Sequence, residues 1–191
     1  MRVIAGQYRS RLFKSLKGLN LRPTSDYLRE TLFNVLGPHL EGAHFLDLFA
    51  GTGAVGIEAL SRGAASATFI ESHHSAVVLI KANLASLGIR EGVTVLPLDA
   101  LRGLETLAAR HTASSPKFTH AFLDPPYAAA EEYDRVLAFL GDGSLLALDA
   151  IVIAEHRRTF SLPERTGSLE KVRTLRQGDS TLTFFRHHPA A

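Results

Sequence analysis

Apolar and polar positions along this chain keep two alternating rhythms. Short apolar runs recur at 45–49, 67–70, 93–96, 118–123 and 150–154, each bounded by Gly, Asp, Glu or Pro. Runs of that length suit strands covered on both faces. Between them, apolar residues fall three and four apart, which predicts helices. The first helix spans about Tyr27 to Leu36, with Leu28, Leu32, Val35 and Leu36 on one stripe and Gly37-Pro38 after it. Others span Ala54 to Leu60, Ser75 to Leu87, about Leu101 to Ala109 and about Glu131 to Leu140, and Gly63, Gly88 and Gly141 stand where three of them stop.

At the front, Arg2–Ala5 and Arg11–Phe13 read as short strands around a turn. At the back, Lys171–Leu175 and Thr181–Arg186 flank Gln177-Gly178-Asp179, a hairpin pattern. Strands alternating with helices predict a doubly wound α/β fold: an open, mostly parallel sheet with helices on both faces. Ligands of such sheets bind beyond the carboxyl ends of the strands. Asp47, the turn at Gly51–Gly53, Glu71, Asp99 and Asp124 all fall at or just after those ends.

The most informative junction is Phe45-Leu46-Asp47-Leu48-Phe49-Ala50-Gly51-Thr52-Gly53-Ala54-Val55-Gly56. It reads as a strand, a glycine turn and a helix start, which gathers free backbone N–H groups at one point. The spacing Gly51-x-Gly53-x-x-Gly56 matches the dinucleotide fingerprint, and Glu71 ends the next strand 20 residues after Gly51. A carboxylate there accepts hydrogen bonds from ribose hydroxyls. The alternative is an ordinary βαβ unit with a tight turn and a solvated Glu.

Composition changes this picture in two places. The 191 residues include no cysteine, which excludes disulfides, thiolate nucleophiles and cysteine-ligated metal. No apolar run reaches membrane-spanning length, so a soluble cytoplasmic protein is the expectation. The net charge of +2 is unevenly spread: residues 1–29 hold seven basic residues against Asp26 alone, and the remainder holds fourteen against eighteen acids. That asymmetry fits a basic arm for a polyanion or, equally, a solvated tail. Tyr8 among the arginines either stacks on a base or plugs a small hydrophobic gap. The pairs His73-His74 and His187-His188 lack a convincing third ligand, so surface placement is expected and no metal.

Asp124-Pro125-Pro126-Tyr127 is the most specific motif. Two prolines fix φ and leave carbonyls without a neighbouring N–H. The loop thereby offers Asp124 and a proline carbonyl as adjacent acceptors for the two N–H donors of an exocyclic amine, and Tyr127 offers a flat face for a base.

Here a resemblance becomes plain. Leu46–Gly53 resembles motif I of S-adenosylmethionine-dependent methyltransferases, and Asp124–Tyr127 resembles the motif of those that methylate amino nitrogens of bases. Arg22-Pro23-Thr24, Arg29–Asn34 and Gly56–Ala64 look like the bacterial small-subunit ribosomal RNA guanine-N2 methyltransferases (RsmD-like). The resemblance implies a seven-stranded Rossmann-like methyltransferase sheet with a terminal antiparallel hairpin, over residues 41–191, behind a small basic extension, residues 1–40. It implies methyl transfer from S-adenosylmethionine to a guanine N2 of 16S ribosomal RNA, free or within an assembling small-subunit particle, with no metal and no membrane. Adenine N6 methylation, a nicotinamide-dependent dehydrogenase and a non-catalytic RNA-binding factor are the alternatives.

Residue by residue, the resemblance assigns the cofactor to Asp47, Gly51, Thr52, Gly53, Glu71, Ser72, Asp99 and Ala100. The target base goes to Asp124, Pro125, Pro126 and Tyr127, and RNA to Arg2, Arg9, Arg11, Arg22, Thr24 and Arg29. After Glu71 the family has a basic residue and then Asp or Asn, whereas this chain has Ser72-His73-His74.

Overall fold

Alternate residues of the central strands feed two separate cores, and this fixes the layers. In a computed structural model, which describes residues 1–15, 26–126 and 130–188, Phe45, Phe69 and Phe122 face one side of a sheet and Leu46, Ile70 and Leu123 the other. A strand buried on both faces has this two-residue period.

The elements follow in the order α1 (Asp26–Leu36), β1 (His44–Leu48), α2 (Ala54–Ser61), β2 (Ser66–Ile70), α3 (His74–Leu87), β3 (Val93–Leu96) and α4 (Ala100–Arg110). Then come β4 (Phe118–Leu123), α5 (Ala130–Gly141), β5 (Leu146–Arg157), β6 (Arg165–Thr166), β7 (Leu169–Gln177) and β8 (Ser180–His187). A 3-10 turn, Gly37–Leu40, continues α1 beyond the expected stop. The sheet order is β3-β2-β1-β4-β5-β8-β7-β6. The first five strands are mutually parallel and the last three antiparallel. The sheet thus has eight strands, because a two-residue strand at its edge, β6, adds to the seven expected. Strand order reverses between β1 and β4, the switch point where sheets of this class bind ligands.

Helices α1, α2 and α3 pack on the phenylalanine face through Leu32, Phe33, Ile57, Leu60, Ile80 and Leu84. Helices α4 and α5 pack on the leucine face through Leu104, Val136, Leu137 and Leu140. Gly56 sits where α2 crosses Phe69; a Cβ there would lie 2.3 Å from the ring, so only glycine permits this approach.

The first fifteen residues are a hairpin laid across α2 and α3. Val3 N–H donates to Arg11 O at 3.0 Å and Phe13 N–H to Met1 O at 3.1 Å, with Arg2 bridging Leu12. Val3 and Phe13 are buried in the same core as α1 and the sheet. The hairpin's tip rests on the end of α2, where Gln7 N–H donates to Ser61 O at 2.8 Å. Gly6, at φ +82°, approaches so closely that an added Cβ would overlap Ser61 O. Inside, Glu58 of α2 accepts from Ile4 N at 2.9 Å and Ala5 N at 3.0 Å.

Candidate active site

The parallel register aligns the ends of the central strands. Leu48 of β1 pairs with Ile70 of β2 and Leu123 of β4, Ile70 with Leu96 of β3, and Leu123 with Ala154 of β5. One residue further, Phe49, Glu71 and Asp124 stand side by side on one rim, about 4.8 Å between neighbouring strands. The rim therefore carries the glycine turn, the acid of β2 and the start of the Asp-Pro-Pro segment on three adjacent strands.

The turn is held from below. Phe49, Gly51 and Gly53 all have positive φ, at 60°, 54° and 76°. Ala50 N–H donates to Ile70 O at 3.0 Å, Gly53 N–H to Ala50 O at 2.7 Å, and Ile57 N–H to Gly53 O at 2.9 Å. Asp47 is 1% exposed, and its Oδ2 accepts from Gly56 N at 2.8 Å. It caps the third residue of α2 from the strand below, since Gly53 at the N-cap has no side chain to do so. Burial pushes the Asp47 carboxyl up to about 8; the Gly56 N–H opposes that rise and the nearby Glu71 adds to it.

Glu71 is clamped. Its Oε2 accepts from Gly51 N at 2.8 Å and its Oε1 from His73 N at 2.7 Å, with His73 Nδ1 also 3.0 Å from Oε1. Two backbone N–H groups fix the carboxylate, and acceptor capacity is left on Oε2, which among the described residues takes only the Gly51 N–H. A Cβ at Gly51 would meet only Phe49 O, at 3.9 Å, so the space above the turn is open. These features fit a nucleoside with its ribose on Glu71 and its chain over Gly51. Ser72 is exposed beside them. Asp99, also exposed, is the N-cap of α4 and accepts from Arg102 N at 3.0 Å; Ala100 behind it is buried.

On the other side of the switch point, Asp124 is half-buried, Pro125 buried and Pro126 exposed. Tyr127 lies outside the described residues, as do Arg22 and Thr24. Among the described residues, no group of three or more His, Cys, Asp or Glu side chains gathers to hold a metal, and no helix is long and apolar enough to cross a membrane.

Of the residues assigned to RNA, Arg2 and Arg9 are exposed on the arm. Arg11 is exposed but engaged: it donates to Leu87 O at 2.9 Å and Ser86 O at 2.8 Å, closing the end of α3. Arg29 is a correction. Its side chain is 0% exposed, pairs with Asp26 at 3.1 Å and Glu58 at 3.7 Å, and donates to Arg2 O at 2.7 Å. A guanidinium in that position ties the arm to α1 and α2 and has no surface for a phosphate. Burial lowers its pKa, and the Glu58 and Asp26 carboxylates work against that drop. His187 is a second correction: it is 2% exposed, inside β8, with Nδ1 2.8 Å from Ala147 O. Tyr8 is partly buried against the core with the Arg11 guanidinium 6.0 Å over its ring, the gap-filling role.

Two residues in this region escaped the sequence reading. Glu58 gathers the arm, Arg29 and Arg62, the last at 2.8 Å. Asn83 of α3 reaches the carbonyl of Thr52 at 3.1 Å. Glu58 lies within Gly56–Ala64, a stretch that carries the resemblance but assigns it no role, and Asn83 stands in no motif; both are polar residues on helices whose other positions are mostly apolar.

Comparison with known proteins decides the family. The model described as "Conserved hypothetical protein 95" matches residues 1–186. The chain belongs to this family. A Bacillus subtilis relative, "Putative rRNA methyltransferase YlbH", is 39% identical over 173 residues, covering 91% of each chain. The Escherichia coli "Ribosomal RNA small subunit methyltransferase D" is 36% identical over 163 residues, covering 85% of this chain and 78% of that one. The solved structure of "Putative methyltransferase yhhF from Escherichia coli" superposes with a TM-score of 0.85 at 30% identity, covering 100% of this chain and 99% of that one.

Proposed function

We propose that this member of a methyltransferase family transfers a methyl group from S-adenosylmethionine to the exocyclic N2 amine of a guanine in small-subunit (16S) ribosomal RNA. The observation that carries the reading is the registered rim: the open Gly51 turn sits one strand from Asp124-Pro125-Pro126 across the switch point, and the clamped Glu71 one strand further on the other side of the turn.

Bound S-adenosylmethionine supplies an electrophilic methyl carbon on its sulfonium sulfur. Glu71 holds the ribose hydroxyls, Gly51, Thr52 and Gly53 line the turn, and Asp99 with the Ala100 backbone lies toward the adenine edge. Asp47 fixes the turn through Gly56 and, when ionised, adds negative charge beneath a cationic ligand. Asp124 and a proline carbonyl accept the two N–H bonds of the target amine. That would draw its lone pair out of conjugation with the purine and leave it free to meet the methyl donor. The same acceptors would stabilise the positive charge that develops on the amine nitrogen, whose proton would pass to solvent. Holding nitrogen and carbon about 3–3.5 Å apart supplies much of the remaining acceleration. The exposed Arg2 and Arg9 of the arm contact phosphates and set the register of the RNA.

Asp124→Asn tests the assignment. One acceptor oxygen becomes a donor aimed at the amine, so methyl transfer falls by about a hundredfold or more while RNA affinity stays within about twofold. Transfer at the parental rate would remove Asp124 from the reaction.

A further inference from the structure

Asn83 is a polar side chain that neither the cofactor nor the base requires, yet it is 1% exposed and fully engaged. Its amide nitrogen donates to two main-chain carbonyls, Lys14 O at 3.0 Å and Thr52 O at 3.1 Å. Its Oδ1 accepts from Lys14 N at 2.9 Å. A carboxamide has two N–H donors and one oxygen, and all are used here. The partners lie 69 and 31 residues away in sequence: one is the end of the basic arm, the other the middle of the glycine turn. Met1 makes a second link, since the Thr52 hydroxyl points at Met1 Sδ at 3.8 Å and Met1 O holds Phe13 N. The open end of the arm hairpin thus straddles Thr52, while Arg2, Arg9 and Lys14 face solvent.

We propose that Asn83 is a positioning residue through which RNA on the arm and the cofactor on the glycine turn tighten each other. The inference rests on the methyltransferase reading. The planar carboxamide makes the coupling stiff: if Lys14 shifts, the amide plane must tilt, and the bond to Thr52 O is lost or the Thr52-Gly53 peptide follows. That peptide leads directly into the first turn of α2. Phosphates gripping the arm hold the plane still and leave the turn in its ligand-ready form. By linkage, a cofactor that orders the turn tightens the arm's grip on RNA by the same factor.

The test uses the full chain, S-adenosylhomocysteine as the probe and a small-subunit ribosomal RNA transcript. In the parent, saturating RNA tightens the probe's Kd by about fivefold or more. Asn83→Asp keeps the size and the acceptor for Lys14 N but turns an oxygen toward both carbonyls. The coupling then falls below about twofold and the KM for S-adenosylmethionine rises about tenfold, while kcat at saturation stays within about twofold. Asn83→Ala gives the same pattern. Lys14→Pro deletes the N–H that Asn83 accepts without touching the turn, and it also abolishes the coupling. Parental coupling in these variants, or a parent whose two ligands bind independently, overturns the proposal. So does a variant that loses active protein and melting temperature with KM unchanged, the pattern of a merely structural asparagine. A parent that binds no S-adenosylhomocysteine at all would instead sink the methyltransferase reading beneath it.

Discussion

Replacing Asp47 with asparagine tests the electrostatic state of the turn. Asp47 lies 1% exposed under α2 with its carboxyl pushed from 3.8 up to about 8, chiefly by burial. The folded protein therefore binds a proton that the unfolded chain releases at pH above about 4. An acid whose folded pKa is raised stabilises the fold fully below its unfolded value and loses that contribution as pH climbs toward the folded one. Between those limits each pH unit removes about 1.4 kcal/mol. The Asp47→Asn variant would keep an acceptor for Gly56 N–H and has no proton to exchange at this site. Urea unfolding of parent and Asp47→Asn should show the variant gaining on the parent by about 2–3 kcal/mol between about pH 5.5 and 7.5. A difference independent of pH across that interval would mean that Asp47 is already ionised in the ligand-free protein, and the account of the turn would fail. The same variant should bind S-adenosylmethionine more weakly at about pH 8, because the ionised carboxylate beneath a cationic ligand is gone.

Two further substitutions separate structural from substrate-binding arginines. Arg29→Ala empties a fully buried guanidinium site and removes the bond to Arg2 O, while Glu58 keeps Arg62 and two backbone N–H donors; it should cost about 2–4 kcal/mol in chemical denaturation, leaving the RNA affinity of the folded fraction unchanged. Arg9→Glu should leave stability within about 0.5 kcal/mol but weaken RNA binding, with the slope of log K against log salt shallower by about one.

Much of the fold was legible because hydrophobic period and punctuation agreed. Every strand from 45 to 154 and every helix from α1 to α5 lies where the pattern predicts, with ends within a residue or two except at β5. That strand begins at Leu146, four residues earlier than its apolar run suggests, and passes Asp149 at φ 59°. Asp149 interrupts the apolar run at the point where β5 bulges away from β4: Phe118 pairs with Leu146 and His120 with Ile151, so two residues on β4 span five on β5. The rim was legible because the glycine turn, Glu71 and Asp124 each follow a strand directly, and parallel register does the rest. The arm's docking was not. Arg9 on the arm and Arg29 on α1 carry the same sequence signal; only Glu58, itself hidden on an apolar helix, distinguishes the buried arginine from the exposed one. Likewise Asn83 reads as an ordinary helical polar residue until the folded chain brings Lys14 and Thr52 to it.

The most direct measurement is nucleoside mass spectrometry of small-subunit ribosomal RNA from cells lacking this protein, after incubation with the purified chain and isotope-labelled S-adenosylmethionine. The account predicts a single labelled product, N2-methylguanosine, absent with Asp124→Asn. Label in N6-methyladenosine, or none in this RNA, would contradict it.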